Sequence, residues 1–254
     1  ADTLEYVYFF NAENADVACM EYRELPHVIY NVRLYGFCNS LVISKEKMDI
    51  DGEIILEGPR SDYYWPFAPD QFFEQASNNM HRKIRNFNPD DYIPQEFIKN
   101  HWKETVGWGE IDEILFEHFR GNLRKHVSSL SREKNISRNT IYHWLRTLDK
   151  RCTIFVGYYP ESLQNYITYV SMFETEYEDF IVDVFSELPA SSTFFKVADK
   201  LIMFAYLPMG IMKDITPQIA NKSYFPLLEI ELLNKENIEK KESAIAGYFW
   251  REWL

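Results

Sequence analysis

Between Asn135 and Lys150, in the run NISRNTIYHWLRTLDK, the residues Ser137, Arg138, Asn139, Tyr142, His143 and Arg146 form a cluster of hydrogen-bonding side chains. Arginine and asparagine can each make paired hydrogen bonds to a base edge, and arginine also grips phosphate oxygens. In the same run Ile141, Leu145 and Leu148 recur at helical spacing. One face of a helix over Arg138–Lys150 is therefore predicted to be buried, with the polar cluster outside. Ser137 stands where a hydroxyl can cap that helix, and Ile136 is apolar at the turn before it. A capped amphipathic helix exposing Arg, Asn, Tyr and His is suited to the major groove of duplex DNA.

The charge of the whole chain argues the other way, because 39 acidic against 27 basic residues leave a net charge of −12. Such a balance repels a polyphosphate. Locally the sign reverses. From Phe119 to Arg151 nine basic residues (Arg120, Arg124, Lys125, Arg132, Lys134, Arg138, Arg146, Lys150 and Arg151) meet two acids, Glu133 and Asp149. That window carries +7 and the remainder −19. The positive segment coincides with the polar helix.

Two further helices are predicted to support it. Glu110–Phe119 offers Ile111, Ile114, Leu115 and Phe119, and Asn122–Lys134 offers Leu123, Val127 and Leu130, to a small core. Trp144 on the polar helix reads as core or wing packing rather than as a stacking platform. Thr153–Tyr158 is β-prone and reads as an exit strand.

The flanking segments share one pattern. Leu4–Phe10 reads as a strand, Ala12–Leu25 as a helix, and Val28–Tyr35 and Asn39–Ser44 as strands. Later come strand Tyr166–Phe173, acidic helix Glu176–Leu188, and strands Thr193–Val197 and Leu201–Leu207. Both copies have an aromatic strand end (Phe10, Phe173) followed by Glu-Leu-Pro (Glu24–Pro26, Glu187–Pro189). This is the signature of an internally repeated β-α-β-β unit of ferredoxin-like type. Between them Glu57–Pro69 reads as an irregular aromatic connector, with helices over Asp70–Phe87 and Pro94–Thr105. The tail Glu236–Leu254 reads as a helix, with Ile238, Ile245, Phe249 and Trp253 at helical spacing.

Other chemistry is absent from the motifs. The six histidines lack HExxH spacing, no CxxC occurs, and neither a phosphate-binding glycine loop nor a GxSxG nucleophile is present. The sequence points to no catalytic residue, no cofactor and no metal site, and not to an enzyme. No apolar run reaches the roughly 18–20 residues of a membrane span, and the first residues lack the basic segment of a secretory leader. Cys19, Cys38 and Cys152 are far apart and odd in number, as expected of free thiols in a reducing cytoplasm.

Ile111-Asp112-Glu113-Ile114-Leu115, Leu130-Ser131, Ile136-Ser137, Thr140-Ile141, Leu145-Arg146-Thr147-Leu148 and Gly157-Tyr158 resemble the leucine-responsive/asparagine-regulator (Lrp/AsnC) family of transcription regulators. Leu188-Pro189 falls where that family has a Leu-Pro between its first effector helix and second strand. The resemblance implies a helix-turn-helix (winged-helix-like) domain followed by a βαββαβ effector domain; together with the repeat, the expected fold is an α+β protein in which that domain lies between two βαββ ferredoxin-like effector units. The expected layout is 1–58 effector-like unit, 59–109 connector with helices, 110–158 helix-turn-helix, 159–234 βαββαβ effector-like domain and 235–254 C-terminal helix. Its implied partner is double-stranded DNA, with a small-molecule effector as a second. Ser137, Arg138, Asn139, Tyr142 and His143 would face base edges or nearby phosphates, and Arg124, Lys125, Arg146, Lys150 and Arg151 would contact phosphates. One head per chain implies a homodimer or higher even oligomer formed by sheet pairing and the aromatic tail. An archaeal source suits the resemblance. Two departures stand out: an effector-like unit precedes the three helices, and Val197-Ala198-Asp199 lacks the glycine of the family's Gly-x-x-Asp turn. The alternative reading is a protein-interaction or ligand-sensing module that uses the helices as scaffold.

Overall fold

The structure, a computed structural model, describes residues 4–100, 107–208, 233 and 244–247. It is mixed α+β. The chain divides into two compact units, one built on 103–156 and the other on 4–102 with 157–250.

The larger unit is an antiparallel sheet of eight strands: β1 Tyr6–Asn11, β2 Val28–Tyr35, β3 Ser40–Ser44, β4 Glu53–Pro59, β5 Tyr166–Phe173, β6 Thr193–Val197, β7 Lys200–Pro208 and β8 Ala244–Gly247. Their order across the sheet is β4-β1-β3-β2-β8-β5-β7-β6. Each half of the sheet thus runs fourth, first, third, second. The two β-α-β-β stretches lie far apart in sequence but share this one sheet, joined where β8 pairs with both β2 and β5.

The outer strands also meet. Just after β4, Arg60 pairs antiparallel with Val197, and Tyr64 with Phe194. The Ser61 N–H donates to the Lys196 carbonyl at 2.9 Å, and the Lys196 N–H donates to the Ser61 hydroxyl at 2.7 Å. Tyr64 and Phe194 exchange both backbone hydrogen bonds, at 2.8 and 2.9 Å. The sheet therefore curls round and closes on itself.

Alternation along the strands follows from that closure, since side chains two apart share a face. Val7 and Phe9, Leu41 and Ile43, Val32 and Leu34, Val170 and Met172, Phe195 and Val197, Ile202 and Phe204 all enter one interior cluster. The residues between them face outward under helices. Tyr8, Phe10 and Val42 pack with α1, Ala15–Arg23, through Ala18 and Tyr22. Tyr169, Phe173, Phe194, Leu201 and Met203 pack with α2, Phe73–Arg85, and α6, Glu178–Phe185. Four consecutive buried residues in β1, Val7–Phe10, are the mark of a strand covered on both faces.

Local chemistry sets the ends of the elements. The Asn14 side chain caps α1 by accepting from the Asp16 and Val17 N–H groups at 3.1 and 3.2 Å. Gly52 has φ +153°, and a Cβ there would lie 2.5 Å from the Asn11 carbonyl oxygen, so only glycine can bring β4 against the end of β1.

Several sequence expectations differ from the structure. β4 falls partly in the stretch read as irregular; its Ile54 and Ile55 are exposed, so it carries no burial period. Pro94–Asn100 is not helical, and 101–105 lie outside the described residues. Instead the Asp179 carboxylate accepts from the N–H groups of Gln95, Glu96 and Phe97 at 2.6–3.1 Å, which holds that loop, left-handed at Glu96 (φ 53°), against α6. The helix expected over 235–254 lies outside the described residues except at Ala244–Gly247, which are strand β8. The second half of the expected βαββαβ domain beyond Pro208 is likewise outside them.

Candidate nucleic-acid interface

The smaller unit holds α3 Glu110–Phe119, α4 Val127–Lys134 and α5 Arg138–Arg146. Its core joins Leu115 and Phe119 of α3, Leu130 of α4, Ile136 of the turn, and Ile141, Trp144 and Leu148. Trp144 is only 6% exposed and stacks on Phe119 with ring centroids 6.2 Å apart. It takes the central place that the sequence reading gave to Leu145, which is only partly buried.

The link from α4 to α5 is short and chemically determined. Asn135 ends α4 in the left-handed conformation, φ 52° and ψ 37°, which asparagine tolerates better than most residues. Ile136 then turns into the core, and Ser137 is extended. The Ser137 hydroxyl oxygen accepts from the Thr140 N–H at 3.1 Å and lies 2.8 Å from the Thr140 hydroxyl. The expected cap is present. Thr140 is exposed beside it, and its hydroxyl contact with Ser137 is a feature for which the Ser-x-x-Thr spacing carries the signal.

On α5 the residues Arg138, Asn139, Tyr142, His143 and Arg146 are all exposed. At about 100° per residue they span an arc of roughly 140°, opposite Ile141 and Trp144. No acid lies between Arg138 and Arg146. The Arg146 Nε donates to the Tyr142 carbonyl at 3.2 Å, which holds the guanidinium along the helix.

The other four basic positions are placed differently. Arg124 and Lys125 sit in the turn before α4, where the sequence reading had helix from Asn122. The Asn122 side chain accepts from the Arg124 N–H at 2.8 Å and its carbonyl from the Lys125 N–H at 3.3 Å. This tight turn leaves Leu123 exposed instead of in the core. Lys150 and Arg151 follow α5 in a short 3-10 turn, so α5 is shorter than the helix expected to reach Lys150. Arg151 is committed to Asp112, 3.1 Å away, while the other oxygen of Asp112 accepts from the Gly109 N–H at 2.9 Å. Asp112 thereby caps α3 and ties it to the end of α5. Neither this role nor the pairing of Arg151 was legible in the sequence. Ile111 is exposed, outside the core.

Over the whole three-helix stretch 107–156, nine basic residues face six acidic ones, a net +3. Four of the acids, Glu110, Asp112, Glu113 and Glu117, belong to α3, so the positive charge belongs to the α4–α5 side. Thr153–Tyr158 forms no strand; Ile154, Phe155 and Val156 are exposed. β-propensity without a partner strand is not enough to make one.

In the larger unit, Ala198 and Asp199 form the β6–β7 turn. Ala198 has φ 52°, and the exposed Asp199 carboxylate pairs with Lys200 Nζ at 2.6 Å. Among the described residues no group of three His, Cys, Asp or Glu side chains could hold a metal ion, and no helix is long and apolar enough to cross a membrane. The chain matches no family model, no curated protein and no solved structure.

Proposed function

We propose that the protein is a sequence-specific regulator that binds duplex DNA, with α4, the Asn135–Ser137 turn and α5 acting as a helix-turn-helix of the Lrp/AsnC kind. The observation that carries this reading is the outward face of α5. Arg138, Asn139, Tyr142, His143 and Arg146 share it without an acid, on a helix capped at Ser137 and anchored by Ile141 and Trp144. Arg138, Asn139 and His143 supply donors and acceptors for base edges; Arg146, Arg124, Lys125 and Lys150 supply phosphate contacts. Arg151 acts through Asp112 as a positioning residue. The strongly acidic remainder of the chain repels DNA that α5 does not engage, favouring specific over non-specific contact.

The closed sheet of two βαββ halves is the ferredoxin-like effector part of this reading, and the cytoplasm is where such a regulator meets its DNA. Selection from a pool of random duplexes tests the proposal. An enriched sequence motif is expected, and its absence across low and physiological salt leaves the three helices as a scaffold for protein contacts.

A further inference from the structure

We infer that the protein works as a single chain on an asymmetric DNA site, because one molecule already contains the two-fold pairing that two copies would otherwise supply. This rests on the DNA-binding reading above. Each half of the sheet runs fourth, first, third, second, as β4-β1-β3-β2 and β8-β5-β7-β6. The halves are joined twice in the same sense. At one join, the second strand of the first half, β2, pairs with the fourth strand of the other, β8, through Leu34–Gly247 and Tyr35–Ala246. At the second join, the second strand of the other half, β6, meets the end of β4 through Arg60–Val197, and Tyr64–Phe194 continues it. Two equivalent joins between two equivalent halves are the arrangement of a closed two-fold dimer.

An unpaired strand edge is what recruits a second copy of a sheet protein. Here the edge of β2 is taken by β8 and that of β6 by the segment Arg60–Tyr64 of the same chain. Side chains cross the seam beside β6 as well. The Ser61 hydroxyl accepts from the Lys196 N–H at 2.7 Å, and the Tyr63 ring meets Phe195 edge-on with centroids 5.3 Å apart. On the near side Arg60 Nε donates to the Glu5 carboxylate at 2.6 Å, and the guanidinium lies 3.8 Å from the centre of the Tyr63 ring.

The internal two-fold relates the halves of the sheet but not the reading helix, because the run Asn135–Arg146 occurs once in the sequence. In two-fold regulators the dyad of the operator mirrors the dyad that relates two heads. With one head, no dyad is imposed on the DNA. The site is one block of contacts, with no inverted copy about 10 base pairs away.

Light scattering on the full chain, free and saturated with the duplex enriched by random selection, tests this. A free mass near 30.3 kDa, one chain per duplex and a motif without inverted symmetry are expected. A mass of two chains, free or bound, or an inverted repeat in the motif overturns the inference and leaves the DNA reading standing. Failure to enrich any motif overturns both.

Discussion

Arg60 and Val197 pair as antiparallel neighbours, and with that pair the segment just after β4 of one half of the sheet is fastened to β6 of the other half. Arg60 also donates to the Glu5 carboxylate, so the same residue holds β6 and the segment that leads into β1. Its side chain and that of Glu5 keep 15% and 21% of their exposure, which places the ion pair between the surface and buried regimes. Arg60→Ala removes this pair and the contact with Tyr63 and leaves Glu5 half-buried without its cation. A loss of about 2 kcal/mol is expected in urea unfolding, confined to the larger unit. An unchanged midpoint would mean that the ion pair adds nothing to the stability of the larger unit.

Ala198 occupies a left-handed position, φ 52°, in the two-residue turn between β6 and β7. The Cβ is strained there and glycine is not. Ala198→Gly is expected to stabilise the larger unit by about 0.5–1 kcal/mol, the strain relieved being partly offset by the greater freedom of glycine in the unfolded chain. The thermal midpoint reads this directly, and a decrease would show the turn to be unstrained.

Glu187 links α6 to α2. Burial alone would raise its carboxyl, but hydrogen bonds from Lys83, Gln71 and Asn79 outweigh that and hold it below its ordinary 4.5. Lys83 Nζ lies 2.8 Å from Glu187 and 3.0 Å from Asp183. A carboxylate depressed in the folded state stabilises it above the unfolded value and loses that contribution as pH falls through the folded one. Glu187→Gln should therefore cost up to about 1 kcal/mol at pH 7 and nothing at a pH below the folded value. Urea midpoints of both proteins across the acid range check the convergence; a gap that persists in acid would contradict it.

The strands Leu4–Phe10, Val28–Tyr35 and Tyr166–Phe173 were legible because their residues are β-branched or aromatic, and the repeated Glu-Leu-Pro paired the halves. The closure was not legible, because nothing local in Arg60 or Val197 announces a partner in the other half of the chain. β4 escaped because Ile54 and Ile55 are exposed at the rim of the sheet, and Asp179 holds Gln95–Phe97 by a tertiary contact that helical propensity does not see. For the candidate site, the cap at Ser137 and the polar face of α5 could be read from spacing alone. The pairing of Arg151 with Asp112 arises only when α3 and the end of α5 pack together, and the turn that exposes Leu123 comes from Asn122, whose side chain accepts from the Arg124 N–H in place of continuing a helix.

The central claim is that the outward face of α5 binds DNA, and Arg138 and Arg146 are its two guanidinium groups. Both are exposed and neither belongs to the core, so Arg138→Ala with Arg146→Ala should leave the unfolding midpoint within about 0.5 kcal/mol of the parent. The most direct measurement is fluorescence anisotropy of a labelled enriched duplex, titrated with parent and double variant over a range of salt. The expected result is an affinity lower by about 10- to 100-fold and a slope of log K against log salt that is shallower by about 1–2. Equal affinity and an equal slope in the folded variant would contradict the account.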